Sequence, residues 1–455
     1  MHARYVLPLL LVASVAAAQN KYDAVTKPLN DKGMAELGAY SLLTELTTKV
    51  GARLSGSLEA AKAMEWGKAT MERLGFENVQ LVPCMVPHWV RGDKEDLVMI
   101  DASGAETALT CCALGMSVPT PVDGLTAEIV EVTSFADAAK LGDQAKGKIL
   151  FFNEPMDPTL TSTFGAYGKA GRQRFQGPAT AAKLGAVASL NRSLTLDPDD
   201  VPHTGTTSYD KDGVKVPGAA LSIVAANKLH DALQRGPVRV RLTLNCQTLP
   251  DEPSASVVGE IRGSERPNEV IVIGGHLDSW DKGVGAHDDG AGIVHSLEAL
   301  RLIKELGWKP KRTIRAVLFM NEENGGRGAE AYAEHAKTAP EKHIAGIESD
   351  SGGFAPRGFS CSLGKSKGRR LNRWLAALSV FEAERFSFGG GGGADVGPLA
   401  AQGAVLFGLS PESQRYFDYH HSAKDTLDKV NPRELELGAL SMAALAWLIS
   451  EEGLP

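Results

Sequence analysis

Short apolar runs that each stop at an acid or a histidine set the terms for this chain. The run 270–273, VIVI, is β-branched and too short for a helix, so it reads as a buried strand, and His276 follows it at once. Residues 316–320 are apolar without alternation, as in a strand covered on both faces, and Glu322 and Glu323 stand just past their end. The run 343–347 leads into Glu348, Ser349 and Asp350. Helical periodicity fills the gaps at 291–306 and 329–336. Strand, loop acid and helix, repeated in that order, predict an α/β fold with a largely parallel, mixed sheet flanked by helices. In such a sheet the loops leaving the carboxyl ends of the strands line the crevice, so the acids fall on its functional edge.

With 455 residues the chain exceeds what one core usually holds, and two domains are expected. The formal charge of -7 gives no electrostatic case for nucleic acid or an anionic membrane. His2 and Arg4 precede an apolar run at 5–15, and Ala16, Ala17 and Ala18 supply small residues for cleavage. Residues 1–18 therefore read as a signal peptide cut after Ala18, which implies a secreted or periplasmic protein. No other segment approaches the ~20 apolar residues of a membrane span. Cys84, Cys111, Cys112, Cys246 and Cys361 show no CxxC or Cys/His ligand spacing, which argues against a thiolate zinc site. Burial as small hydrophobes is the simplest expectation for most of them.

Along the chain, helices are predicted over 35–50 and 58–74, the second capped by Ser57 and ended by Gly75, with a strand at 79–86. From about residue 115 the texture changes to Pro119, Pro121 and Gly124, β-prone runs at 127–132 and 148–152, one helix-like stretch at 178–184 and a strand at 239–244. This predicts a β-rich inserted domain over 116–248, dividing the host domain into 19–115 and 249–455. Within the insert, Arg172 and Arg174 could meet a substrate carboxylate, although exposed arginines are usually only solvated. The glycine run 389–393 lacks the Lys-Ser/Thr of a phosphate-binding loop and reads as a pliable loop at the mouth of the site. Asp395, just beyond it, is either a site residue or a turn former. A last motif, YFDYHHSAKDT, covers 416–426 and precedes a closing helix at 433–449.

Collected at the strand ends are His276, Asp288, Glu322, Glu323, Asp350 and His421. Five ligands, one a carboxylate able to bridge, suit two zinc ions ~3.5 Å apart, with a further carboxylate left for proton transfer. Asp289 reads as an organiser of its loop.

The segments GGHLDSW, GAHDDGAG, NEENGGRGA, ESDSG and HHSAKDT resemble the signatures of the zinc-dependent aminopeptidase and glutamate carboxypeptidase family. The likeness extends to GARLSGS, to PKRTIRAVLFMNEE and, inside the insert, to GPATAAKLGAVASLNRS and PHTGTTSYDKDGVKVPGAA, which look like a protease-associated domain. By this resemblance His276 and Asp350 bind one zinc, Glu323 and His421 the other, and Asp288 bridges both. Glu322 stands where the family keeps its general base, Asp278 where a neighbouring acid orients the ligand histidine, and His420 where some relatives stabilise the oxyanion with a tyrosine. The resemblance implies an exported di-zinc exopeptidase, a homodimer, that hydrolyses dipeptides or short peptides with a free N-terminus through a metal-bridged hydroxide. Two other readings remain open at this point. One is a catalytically silent binding or receptor domain on the same scaffold, and the other is a single-zinc enzyme like glutaminyl cyclase.

Overall fold

The structure is a computed structural model that describes residues 6–455, with side chains from Lys21 onward. The signal peptide expected over 1–18 lies outside these fully described residues. No helix among the described residues is long and apolar enough to cross a membrane.

The host domain is built on an eight-stranded mixed sheet. Its centre is parallel: Arg312–Phe319, Arg266–His276, Lys342–Glu348 and Val405–Pro411 lie side by side in that order. Antiparallel strands Gln247–Ile261 and Glu77–Val90 extend one side, and Pro356–Cys361 followed by Phe386–Phe388 the other. Successive side chains of a strand point to opposite faces, and here each face meets its own helices. Ile271 and Ile273 join the large core with Leu297, Leu300 and Leu440, from helices Ala291–Glu305 and Pro432–Glu452. Val270 and Val272 pack instead with Tyr332 and Ala333 of helix Arg327–Thr338. That two-sided cover explains the unbroken apolar runs.

Strand Arg266–His276 passes to one neighbour, Arg312–Phe319, through helix Ala291–Glu305. The chain then crosses back to the other neighbour, Lys342–Glu348, through helix Arg327–Thr338 on the opposite face. Right-handed crossovers running in opposite directions require opposite faces, and the point where the direction reverses leaves a crevice at the strand ends.

The chain leaves the host on Glu77–Val90 and returns on Gln247–Ile261, and these two pair as an antiparallel ribbon from Leu81↔Val257 to Val90↔Gln247. Between them lies a second eight-stranded sheet. It already includes Glu95–Ile100, Glu106–Leu109 and Cys111–Ala113, so the inserted structure starts ahead of the boundary expected at 116. The reason is local: Leu97 and Met99 alternate inward and pack with Val240 and Leu242 of strand Arg239–Leu244, their antiparallel partner. Nor is the insert chiefly β. Its central strands are parallel, and helices Phe135–Leu141, Thr163–Ala170, Arg172–Lys183 and Ile223–Arg235 accompany them. All five cysteines are unpaired, and four are buried.

Insert and host are locked together beside the crevice. Trp280 of the host packs into the insert's core with Trp89 and Leu54. Arg91 pairs with Asp281 at 2.5 Å, and Lys282 with Glu95 at 2.7 Å.

Candidate metal centre

His276 is the last residue of its strand, and its ring is oriented by the chain just beyond. Its Nδ1–H donates to the Asp278 carbonyl at 3.0 Å, which leaves the Nε2 lone pair free. Nε2 lies 3.2 Å from Asp288 Oδ1 and 3.6 Å from Asp350 Oδ1. Across the crevice, His421 Nε2 lies 3.2 Å from Asp288 Oδ2 and 3.1 Å from Glu323 Oε2. Asp288 thus presents one oxygen to each histidine. Residues spread over the sequence from 276 to 421 converge on it.

The glycine-rich loop that carries Asp288 is held from several sides. Asp289 accepts the His276 backbone N–H at 3.0 Å and that of Gly292 at 2.9 Å, so it organises the loop as the sequence suggested. A Cβ at Gly292 would lie 1.8 Å from the Ser349 carbonyl, and only glycine lets the helix start approach the loop of Asp350 so closely. Asp425 accepts the N–H groups of His287 at 2.7 Å and Asp288 at 3.1 Å. Arg53 is fully buried and spans the loop, donating to the carbonyls of Leu277, Val284 and Gly285. Sequence reasoning missed both Arg53 and Asp425, although each sits inside a quoted motif, GARLSGS and HHSAKDT.

Asp278 acts differently from the expected contact. Its Oδ1 accepts the N–H groups of Asn321 at 2.7 Å and Glu322 at 3.1 Å and lies 4.0 Å from His276 Nδ1. It couples the His276 loop to the Glu322 loop, while its carbonyl orients the histidine. His420 stacks on His421 at 3.5 Å between ring centroids, with Nε2 3.7 Å from Asp288 Oδ2, close enough to share the same ion-binding space. Asp395 is buried and gives its N–H to Glu348 Oε2 at 3.0 Å; burial and then Glu348 push its carboxyl up, Glu322 and Asp350 add to this, and neither carboxyl oxygen has a hydrogen-bond partner. Arg172 is exposed and bonds Gln176. Arg174 is buried, donates to Tyr167 Oη at 2.8 Å, and lines with Glu322, Asp350 and His421 a cavity of about 300 Å³.

Burial, reinforced by Asp350, Glu323 and Asp288, pushes the Glu322 carboxyl up to about 8. Glu323 is pushed up to about 6 by burial and by Asp288. Burial opposes a charge on His421, yet Glu323 and Asp288 raise it to about 10. Two ligand histidines stand among four acids, of which Asp288 and Glu323 are buried and Glu322 and Asp350 half-buried, so the cluster is cation-deficient, and buried carboxylates are stable only when paired or metal-bound. Asp288 Oδ2 and Glu323 Oε1 are buried without a hydrogen-bond donor. Mixed imidazole and carboxylate donors suit zinc, and two groups of potential ligands share Asp288: one with His276 and Asp350, the other with His420 and His421. The residues fit the metal pair.

A sheet of this order, roofed by an inserted domain and carrying such a cluster at its switch point, is the scaffold of a metallo-exopeptidase, and that is the class of this enzyme. Peptidase family M28 matches residues 256–446 by its family model. The protein belongs to that family. Carboxypeptidase Q of Bos taurus is 36% identical over 426 residues, covering 93% of this chain and 88% of its own, and that of Homo sapiens is 36% identical over 427. A crystal structure of a peptidase M28 precursor from Shewanella amazonensis superposes with a TM-score of 0.89 at 33% identity, covering 95% of this chain and 97% of its own. BSAP, a zinc aminopeptidase from Bacillus subtilis, shares the fold with a TM-score of 0.64 at 20% identity, over 90% of this chain and 93% of that one.

Proposed function

We propose that the protein is an exported di-zinc exopeptidase that hydrolyses dipeptides or short peptides with a free N-terminus. One observation carries this reading: Asp288 divides its oxygens between His276 and His421, and Glu322 stands in the same cavity. His276 and Asp350 would hold one zinc, Glu323 and His421 the other, and Asp288 both. When bound, the ions supply Lewis-acid chemistry, acidifying a water and polarising the scissile carbonyl.

Glu322 takes the proton from the attacking water and returns it to the departing amine. A positioned carboxylate can make that exchange in both directions. Asp278 fixes the backbone of Glu322 and so aims its carboxylate. His420 can donate to the developing oxyanion from the edge of the cluster. Arg174 has a buried Nε–H without a partner, and its guanidinium can receive the carboxylate of a substrate short enough to end inside the cavity. Phe164 and Tyr167 of the insert help wall that cavity, which supports small substrates. Resemblance supports a homodimer and an insert of the protease-associated type.

A silent binding domain would have no use for the intact Glu322. A single-zinc enzyme does not account for a carboxylate placed between two histidines. Metal analysis of the purified protein should give about two zinc per chain, and a panel of dipeptides should be cleaved. Full zinc with no cleaved dipeptide would favour binding over catalysis, and one zinc per chain would favour the cyclase-like reading. A mature N-terminus other than Gln19, or a monomer mass by light scattering, would remove the corresponding part of the proposal.

A further inference from the structure

Residues 203–205 belong to the insert, yet they grip the loop that carries His421. The strap is anchored behind by the insert's own sheet. The His203 N–H donates to Ser193 Oγ at 2.8 Å, Ser193 Oγ donates to the Leu221 carbonyl at 2.6 Å, and Thr204 Oγ1 donates to the Ala113 carbonyl at 2.8 Å. Towards the host it makes three bonds. The ring Nδ1–H of His203 donates to the His420 carbonyl at 2.6 Å, and the Thr204 N–H donates to the His421 carbonyl at 2.9 Å. In return His421 Nδ1 lies 3.3 Å from the Thr204 carbonyl and 3.3 Å from Arg174 Nη1, also of the insert, and with Nε2 turned to a metal beside Asp288 and Glu323 it is Nδ1 that would carry the proton towards the carbonyl.

These bonds fall where they are needed. His421 has φ +59°, a left-handed conformation that a residue with a side chain rarely adopts and holds only when its surroundings impose it. Both consecutive carbonyls, of His420 and His421, are tied to the insert. His203 and Thr204 are themselves almost wholly buried. The other histidine is held otherwise: the bonds that orient His276 come from Asp278 and Asp289, both of the host.

We propose that His203 and Thr204 are positioning residues of the metal centre, so that the Glu323–His421 half is completed by the docked insert whereas the His276–Asp350 half is built by the host alone. The inserted domain is then part of the metal site and more than a roof over it. This rests on the di-zinc reading given above.

The test is zinc affinity, measured on the full chain by competition with a chromophoric chelator. Wild-type protein should bind two zinc ions. His203→Ala should weaken one of them by about 10- to 100-fold, the usual effect of losing an outer partner of a metal ligand, and leave the other unchanged. His203→Asn, which returns an N–H donor towards the His420 carbonyl, should restore most of the loss. Thr204→Val keeps the shape, removes the hydroxyl that ties the strap to Ala113, and should show the same one-ion signature. His230→Ala, at an exposed histidine paired with the half-buried Glu131 on the insert, should keep both ions. Folded His203→Ala and Thr204→Val proteins holding both ions at wild-type affinity, or losing both equally, would overturn the proposal. Wild-type protein that binds no zinc would remove the di-zinc reading itself.

Discussion

Asp288 is the residue on which both halves of the centre depend, because each of its oxygens faces a different histidine. Asp288→Ala should therefore reduce bound zinc at both positions in metal analysis, where loss of Asp350 alone should spare one. Retention of one full equivalent in Asp288→Ala would show that the carboxylate does not bridge. Glu322 makes the opposite prediction. Glu322→Gln should keep its zinc and lose about 10²- to 10⁴-fold in kcat, the contribution of a positioned general base, and undiminished turnover would remove it from that role. His276 and the acids were legible in the sequence because each follows an apolar run or a glycine-rich loop, whereas His421, expected at a strand end, lies past the short helix Tyr416–Tyr419 and was marked only by its motif. Arg53, Asp425 and His203 were not legible. Their partners are backbone groups far along the chain, and no local pattern marks which carbonyl a buried arginine will reach.

At the level of elements, helices Ala291–Glu305 and Pro432–Glu452 meet on one face of the sheet and bring Glu298 and Glu436 together in the interior. Burial and then Glu298 push the Glu436 carboxyl up to about 8, so it carries its proton at neutral pH. Its folded value lies above the ordinary 4.5, and the unfolded chain releases that proton first as pH rises. The stability tied to Glu436 is thus complete below about 4.5 and is lost as pH climbs through about 8. Glu436→Gln, neutral throughout, should gain in Tm relative to wild type between pH 5 and pH 9. Parallel Tm curves for the two proteins would show that the pair does not titrate this way. The helices that were legible had clear punctuation: Ser57 Oγ accepts the Ala60 N–H at 3.1 Å, at the expected cap of Leu58–Arg73. Those of the insert were mostly hidden, only the end of Arg172–Lys183 being legible, as a helix-like stretch at 178–184. Thr163–Ala170 contains Gly165 and Gly168, and Arg172–Lys183 contains Pro178, all residues with poor helix propensity, so these helices form because Ala166, Ala170 and Ala181 are packed. Leu37, with φ +48°, ends one helix and Gly38 begins the next, so the single helix expected over 35–50 is broken near its start.

Over the whole molecule, the cluster holds acids that repel one another until cations fill it, so stability and metal content should be linked. Removing zinc with a chelator should lower Tm by several degrees and restoring it should reverse the change, since a ligand at 1,000 times its Kd stabilises by about 4 kcal/mol. A Tm indifferent to chelation would mean that the cluster is satisfied without metal. The sequence leads us to expect an insert over 116–248, whereas the second sheet already takes in strands from Glu95. Glu95–Ile100 and Glu106–Leu109 pair with each other, but they join the sheet only through Arg239–Leu244, as Cys111–Ala113 does through Gly218–Leu221, and pairings over that distance leave no local trace.

The insert stands on two antiparallel strands that run side by side, with Val90 opposite Gln247. Its two covalent junctions therefore sit at one place in space, and a lineage could trade one cap for another by a single recombination there, keeping the hydrolytic chassis while changing its diet. On the di-zinc reading proposed above, a grafted cap that lacked counterparts of His203 and Thr204 would arrive on a chassis that holds its second metal more weakly. Successful exchanges between relatives should therefore be those in which the strap travelled with the graft.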